Sequence, residues 1–450
     1  MKIAVIGGGI GGLAAARALL AAGHDAHVLE ARERSGGVVG TTRIAGFVRE
    51  HAASSFLGGP PRGALALCRE LGVAVDKASP KAKRRWIYLD GKLRALPGNP
   101  LQLVTSDLLT WRGKLDLIRE PLRPRVVSGE DESVHAFAAR RLGAEAARAI
   151  VAPFVTGVFA ADSHDISLAA GFPRFAALEA QGGLVRGMVK QMARGMVGKV
   201  TGKPNSGGTP RGLYAPAGGV GRLAEAMAAS LGARVHTGVR VSAIESTNAG
   251  VLVDGDRYDG VVLAVPAMVA AELLDTRMAE LAVRLRAFER APTAIVYLGM
   301  PEAAVPRAAD GFGFLVGAGE DVRVLGCVFE TTVWPDRAPA GQVLLRCIFG
   351  GSRDPDAASL GEAELIALAR RDLERVLGAD PGIEPTHASV VKWPRGIAQY
   401  AVGHRDLVRA AEAAARTHRI ALAGADYRGA GVNDLIADGD AIAAEVRSWS

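Results

Sequence analysis

Hydrophobic and polar positions divide the chain into segments of two periods. Ile3 to Ile6 is a short continuous apolar run, which predicts a buried strand. Gly11 to Ala22 carries alanine and leucine at helical spacing, and Gly23 ends it. Ala26 to Glu30 predicts a second strand. Residues 62–72 predict a helix closed by Gly72, and 92–200 carry Leu, Ala and Arg mostly at helical spacing. Residues 201–212, TGKPNSGGTPRG, have the composition of a flexible loop. A helix is expected at 220–230. Strands are expected at 234–244, 251–253, 257–265, 312–316, 322–330 and 342–349. Another helix is expected at 361–377. The tail predicts a strand at 420–423, a glycine-rich turn, and a helix from about Asn433 to Val446.

Composition narrows the function classes. The chain has 450 residues, enough for two or three domains, with 49% hydrophobic and 22% charged residues. A net charge of +7 suits an anionic partner, yet aromatics at 5% argue against a nucleic-acid stacking platform. Cys68, Cys327 and Cys347 have no metal-ligand spacing and predict reduced core thiols in a cytoplasmic protein. The apolar run after Lys2 is too short for a signal peptide. The longest apolar candidate for a span, Val261 to Ala271, contains Pro266, so no transmembrane helix is expected.

The sharpest motif is GGGIGG. Gly7, Gly9 and Gly12 satisfy G-x-G-x-x-G directly after a predicted strand and at the start of a predicted helix. In such a unit the first glycine makes the turn, the second admits a pyrophosphate, and the third lets helix and strand pack closely. Glu30 comes 23 residues after Gly7, near the roughly 20 expected for an acid that holds a ribose.

The stretch around and after this acid resembles the flavin amine-oxidase-like proteins. In LEARERSGGVVGT, Arg34, Gly36 and Gly37 match the arginine and glycine pair that line the pyrophosphate and flavin there. At the other end, IALAGADYRGAGVNDLIADGDAIAAEV (420–446) matches the strand, turn and helix whose N-terminus points at the flavin in that superfamily. Within it the chain resembles the oxygen-dependent protoporphyrinogen oxidase family over nearly its whole length. The strings that carry this are AKRRWIYLDGKLRALP (82–97), DESVHAFAARRLG (131–143), FVTGVFAADSHDISLAAGFPRFAALEAQGG (154–183), GFGFLV (311–316), VLGCVFETTVWPDRAP (324–339) and WPRGIAQYAVGH (393–404).

The resemblance implies an α/β fold. A Rossmann-like FAD domain (1–80, 213–270 and 405–450) is interleaved with an α+β substrate domain (271–404, with parts of 81–91) and a helical membrane-binding domain (92–205). It implies oxidation of protoporphyrinogen IX to protoporphyrin IX by three hydride transfers to FAD, with O2 as acceptor and hydrogen peroxide released. The implied FAD contacts are Gly7, Gly8, Gly9, Ile10, Gly11, Gly12, Glu30, Ala31, Arg34, Gly36, Gly37, Val38, the backbone of Ala52, Ala53, Ser54 and Ser55, then Val241, Trp393, Ala430, Gly431 and Val432. Val241 is expected in a strand, its backbone on the adenine. The implied tetrapyrrole contacts are Val158, Phe312, Gly313 and Leu315. No catalytic side chain and no metal are implied, and a homodimer is compatible with the resemblance.

Four positions depart from the family. Ala52 and Ala53 stand where it usually has glycine and proline, Ala398 stands where proline is usual, and Leu101 falls near the usual arginine for a propionate, leaving Arg94 as a substitute. Alternatives stay open: coproporphyrinogen III as substrate, a noncatalytic FAD- or porphyrin-binding protein, or a flavin amine oxidase. The last needs an aromatic cage, for which Tyr400 and Tyr427 are candidates, and a lysine, with none after Lys392. Between Glu179 and Glu225 no acid occurs, and Arg186, Lys190, Arg194 and Lys199 recur opposite an apolar stripe within 184–200. This predicts an anionic-membrane contact, peripheral to the inner membrane.

Overall fold

The structure is a computed structural model and describes residues 1–98, 100–124, 130–180, 183–184, 212–248, 250–306 and 310–449. The basic segment 185–200 and the expected loop 201–211 lie outside the described residues.

A five-stranded parallel sheet forms the first layer. Its order is Val235–Thr237, Asp25–Glu30, Lys2–Ile6, Gly260–Leu263 and Ile420–Leu422. Lys2–Ile6 and Gly260–Leu263 are almost wholly apolar because both faces of this sheet are covered. The helix Ile10–Ala21 is alanine-rich, and the C-terminal helix Val432–Arg447 lies across it. The approach is close: a Cβ on Gly439 would stand 2.7 Å from the Ala14 carbonyl oxygen. The two ends of the chain thereby close one core.

The second layer is a seven-stranded mixed sheet. Its order is His387–Ala398, Arg290–Pro301, Gln342–Gly350, Gly326–Phe329, Gly313–Val316, Trp86–Leu89 and Lys92–Ala95. Its two longest strands, Arg290–Pro301 and His387–Ala398, are not among the strands the sequence pattern predicts. Pro292 and Pro394 inside them read as breakers. The structure accommodates Pro292 at a register shift between Ala291 and Thr293. One face of this sheet buries Phe314, Cys327, Phe329, Cys347 and Phe349 against the helix Glu362–Leu377. The opposite face turns toward the first layer.

Other expectations need correction. Residues 92–95 form an edge strand rather than helix, paired to Trp86–Leu89. The strand expected at 234–244 stops at Thr237, because Gly238 turns the chain at φ +72° and Gly238 and Val239 donate their N–H groups to Arg32 and Glu30 carbonyls. Val241 therefore lies in a loop, not a strand, with its side chain in the core beside Ile6 and Leu263.

Between residues 100 and 180 the described elements are mainly helices, including Trp111–Ile118, Val134–Leu142 and Ala152–Phe159. The ion pair Arg141–Glu120, both ends buried, braces them. They contact the second sheet through Ile87 and Leu89, which pack with Leu108, Leu109, Ala146 and Ala149. All three cysteines are buried free thiols. Among the described residues, no helix is long and apolar enough to cross a membrane.

Candidate active site

The glycine loop is built as its spacing requires. Gly7 has φ +108°, a conformation that side chains strongly disfavour, and a Cβ on Gly12 would overlap the Gly7 carbonyl. Gly9 caps the helix without a side-chain partner, and no acid stands in the first turn. The helix N-terminus thus offers its N–H groups and positive dipole end to an anion. Ile10, Gly11 and Gly12 are buried there, with Gly11 facing Gly424 of the C-terminal turn.

Glu30 ends the next strand, 7% exposed. Its Oε2 accepts the N–H of Gly8 at 2.7 Å and its Oε1 that of Arg32 at 2.9 Å. A carboxylate has about four acceptor sites, so hydroxyl donors from a ribose can still be taken. Ala31 is exposed after it. The 34–40 turn folds back on the glycine loop: Gly36 donates its N–H to the Gly8 carbonyl at 2.7 Å. The guanidinium of Arg34 ties this turn by donating to Gly37 and Val39 carbonyls, both at 3.1 Å. Val38 is exposed. Arg34, Val39, Thr41, His51 and Thr237 line a cavity of about 230 Å³. Burial, then the neighbouring Arg34, Arg49 and Arg32, holds His51 below the usual imidazole range.

At the far end, the turn after Ile420–Leu422 begins at Gly424 (φ +121°) and leads through the exposed Ala430 and Gly431 to the helix at Val432. Asn433, which sequence reasoning did not single out, staples this helix start to residues 57–64. Its side chain accepts from Ala64 N at 2.8 Å and donates to the Leu57 carbonyl at 2.9 Å.

Residues 50–55 run between the two sheets. Ala52 and Ala53 both lie outside the left-handed region, so the backbone here does not demand glycine. Ala53 packs against the first core, and Ser54 and Ser55 are half-buried. Trp393 reaches the same loop, donating Nε1–H to the His51 carbonyl at 2.7 Å.

The family of flavin-containing amine oxidoreductases matches residues 10–447. The chain belongs to this family. It is 33% identical over 435 residues to a chloroplastic protoporphyrinogen oxidase of Oryza sativa subsp. japonica, covering 91% of this chain and 81% of that one. It is 32% identical over 486 residues to protoporphyrinogen oxidase of Macaca fascicularis, covering 99% and 98%. A coproporphyrinogen III oxidase of Bacillus subtilis is 26% identical over 99% of this chain and 98% of its own. The crystal structure of a candidate protoporphyrinogen oxidase from Exiguobacterium sp. 255-15 superposes with a TM-score of 0.83 at 23% identity, covering 100% and 99% of the two chains. That last likeness carries the fold alone. This flavin-containing oxidoreductase uses FAD, and the free helix N-terminus, the glycine cradle and Glu30 fit its pyrophosphate and ribose.

Within this flavin-containing amine oxidoreductase, two of the residues expected to meet substrate, Gly313 and Leu315, lie on the second sheet. Leu315, Val328 and Ile348 are half-buried on the face that turns toward the 50–55 loop. Gly313 is required: φ is +149° and a Cβ would overlap the Cys327 carbonyl. This irregularity sends Phe312 to the first core, while Phe314 packs on the opposite face. Arg85 lies over the Phe312 ring at 5.3 Å. The helix Ala152–Phe159 closes on Leu315 at Gly157, where a Cβ would stand 2.5 Å from Leu315 Cδ2. Its neighbour Val158 is exposed.

The side chains that the amine-oxidase alternative would call on lie elsewhere. Tyr400 and Tyr427 are buried in separate clusters, so neither contributes to an open aromatic cage. Tyr400 donates to the Ala425 carbonyl at 2.6 Å, and Tyr427 packs edge-on against Phe288. Lys392 is spent on the Leu360 carbonyl, on the helix-covered side of the sheet. Arg94 is also engaged, with Asp90 at 2.8 Å and Asp107 at 3.4 Å, and both carboxylates compete with any propionate.

Proposed function

We propose that this chain oxidises protoporphyrinogen IX to protoporphyrin IX with O2 as final acceptor. One observation carries the reading. The face that meets the 50–55 loop presents half-buried Leu315, Val328 and Ile348, an apolar wall suited to a flat macrocycle, while the tyrosines and lysine an amine oxidase would need point elsewhere. The similarity to the Oryza sativa and Macaca fascicularis enzymes supports it.

Bound FAD supplies the two-electron acceptor, and the chain supplies placement. Gly7 to Gly12 hold the pyrophosphate, with Arg34, Gly36, Gly37 and Val38 closing over it. Glu30 takes the ribose, with Ala31 beside it. The backbone at Val241 meets the adenine. Ala52 to Ser55, Trp393 and Ala430 to Val432 surround the ring system. Phe312, Gly313, Leu315 and Val158 form the substrate wall, which excludes water from the reacting carbon.

The experiment is turnover of the two porphyrinogens side by side under O2, with peroxide counted per porphyrin. Three peroxides per protoporphyrin and a higher kcat/KM for protoporphyrinogen IX support the reading. A preference for coproporphyrinogen III would move the assignment to that substrate, which the Bacillus subtilis relative makes the second reading.

The reading includes peripheral contact with an anionic bilayer. Besides the basic segment 184–200, Trp111, Ile118 and Leu122 are 69%, 67% and 80% exposed. The exposed Arg112 and Arg119 stand among them. Such a mixed face suits the boundary between headgroups and acyl chains.

A further inference from the structure

Three successive carbonyls of the 50–52 loop are each held by a side chain from the second sheet. Tyr297 donates its hydroxyl to the Glu50 carbonyl at 2.8 Å, Trp393 its indole N–H to His51 at 2.7 Å, and Arg346 its guanidinium to Ala52. The three donors sit on three adjacent strands, and Tyr297 and Arg346 are direct cross-strand partners. Arg346 interrupts an otherwise apolar row and is itself buried. Its counter-charge is Glu330, 3.8 Å away and also buried, whose carboxylate oxygens have no hydrogen-bond partner among the described residues. The start of the loop is anchored separately, by Glu50 accepting from Arg337 at 2.7 Å and Val220 N at 3.0 Å.

This arrangement fixes more than carbonyls. In a planar trans peptide the C=O of one residue and the N–H of the next point in opposite directions. Drawing the Glu50, His51 and Ala52 carbonyls onto the second sheet therefore aims the N–H groups of His51, Ala52 and Ala53 away from it. The first meets the Gly40 carbonyl at 2.8 Å. Those of Ala52 and Ala53 meet no acceptor among the described residues. A proline at 53 would have no N–H to present.

We propose that Arg346 is a positioning residue for the flavin. It clamps the Ala52–Ala53 peptide so that the Ala53 N–H faces the polar edge of the ring system and stabilises the reduced cofactor. The proposal rests on the reading above that residues 52–55 lie against the flavin. Glu330 neutralises the clamp, so that its charge can stay buried.

The test is the reduction potential and absorption spectrum of bound FAD in the purified holoenzyme. The clamp is removed by Arg346→Met with Glu330→Gln, which leaves no lone buried charge, and the donor by Ala53→Pro. Both should retain FAD, shift the flavin bands, and lose about tenfold in preference for reduced over oxidised cofactor, which is ~30 mV for a two-electron couple. If Ala53→Pro shifts the potential and the clamp variant matches the parent, the loop lies at the flavin but Arg346 does not position it. If neither variant moves potential or spectrum, the loop reading falls and the proposal with it. Should the clamp variant fail to fold, Arg346→Lys takes its place, keeping the buried charge beside Glu330 while losing the guanidinium that reaches the Ala52 carbonyl, and a parental potential there overturns the proposal.

Discussion

Glu30 Oε2 accepts the backbone N–H of Gly8 at 2.7 Å, so the acid that ends the second strand is tied to the glycine turn that ends the first. The two halves of a dinucleotide site are thereby set before any ligand arrives. Replacing Glu30 with Arg removes the acceptor and puts a long cation against Gly8, whose own Cβ position would already lie 3.0 Å from Glu30 Cβ. Glu30→Arg should purify without FAD. Stoichiometric flavin in that variant, measured by absorbance after desalting, would contradict the ribose role.

Phe312 bridges the apolar wall and the first core. Removing an apolar side chain of this kind costs on the order of 1.5–3 kcal/mol where burial is complete. Phe312→Ala should therefore lower kcat/KM for the porphyrinogen by roughly 10- to 150-fold. Steady-state kinetics on FAD-replete enzyme separate this from loss of cofactor. Unchanged kinetics with a lowered Tm would make Phe312 a core residue only.

The exposed face of Trp111, Ile118 and Leu122 gives the membrane reading a test inside the described residues. Changing all three to Ser should lower partitioning onto anionic vesicles at least tenfold, about 1.4 kcal/mol, and leave bound FAD unaltered. High salt should weaken parental binding by screening the basic groups. Equal co-sedimentation of parent and variant would remove this face from the contact.

His404 supplies a pH dependence of stability. Its ring stacks on Tyr400 at 4.3 Å, and burial holds its pKa below the ordinary imidazole value. Just below about pH 6.5 the unfolded chain carries the proton there and the folded chain does not. Stability contributed by this group is therefore lost as pH falls below that value, at about 1.4 kcal/mol per unit separating the two pKa values. His404→Gln should show a shallower fall of Tm than the parent between about pH 7.5 and 5.5. Parallel curves would show that His404 does not contribute.

The dinucleotide half of the site was legible in the sequence because its determinants are local. Gly7, Gly9, Gly12 and Glu30 fall within one strand–helix–strand unit, where Gly7 takes a positive φ and Gly12 packs on the Gly7 carbonyl. The proposed ring-system half was legible only through the resemblance, which named Ala52 to Ser55, Trp393 and Ala430 to Val432 but not Tyr297 and Arg346, because these converge with Trp393 on residues 50–52 from strands hundreds of residues away. Two of those strands also hide behind Pro292 and Pro394. Arg346 is the one charge in an apolar strand, and only the register beside Tyr297 shows its place in the loop's anchoring. Gly313 shows the same limit: alternation would place Phe312 and Phe314 on one face, and a single backbone irregularity separates them.

The central claim is that a porphyrinogen delivers its electrons to FAD held in this site. Anaerobic mixing of the holoenzyme with protoporphyrinogen IX, monitored at the flavin absorption band, tests it without reliance on O2. The account predicts rapid bleaching of the bound flavin, with porphyrin formed in proportion, and return of the band on admitting air. A flavin that stays oxidised in the presence of excess protoporphyrinogen IX, in protein that retains its FAD, would contradict it.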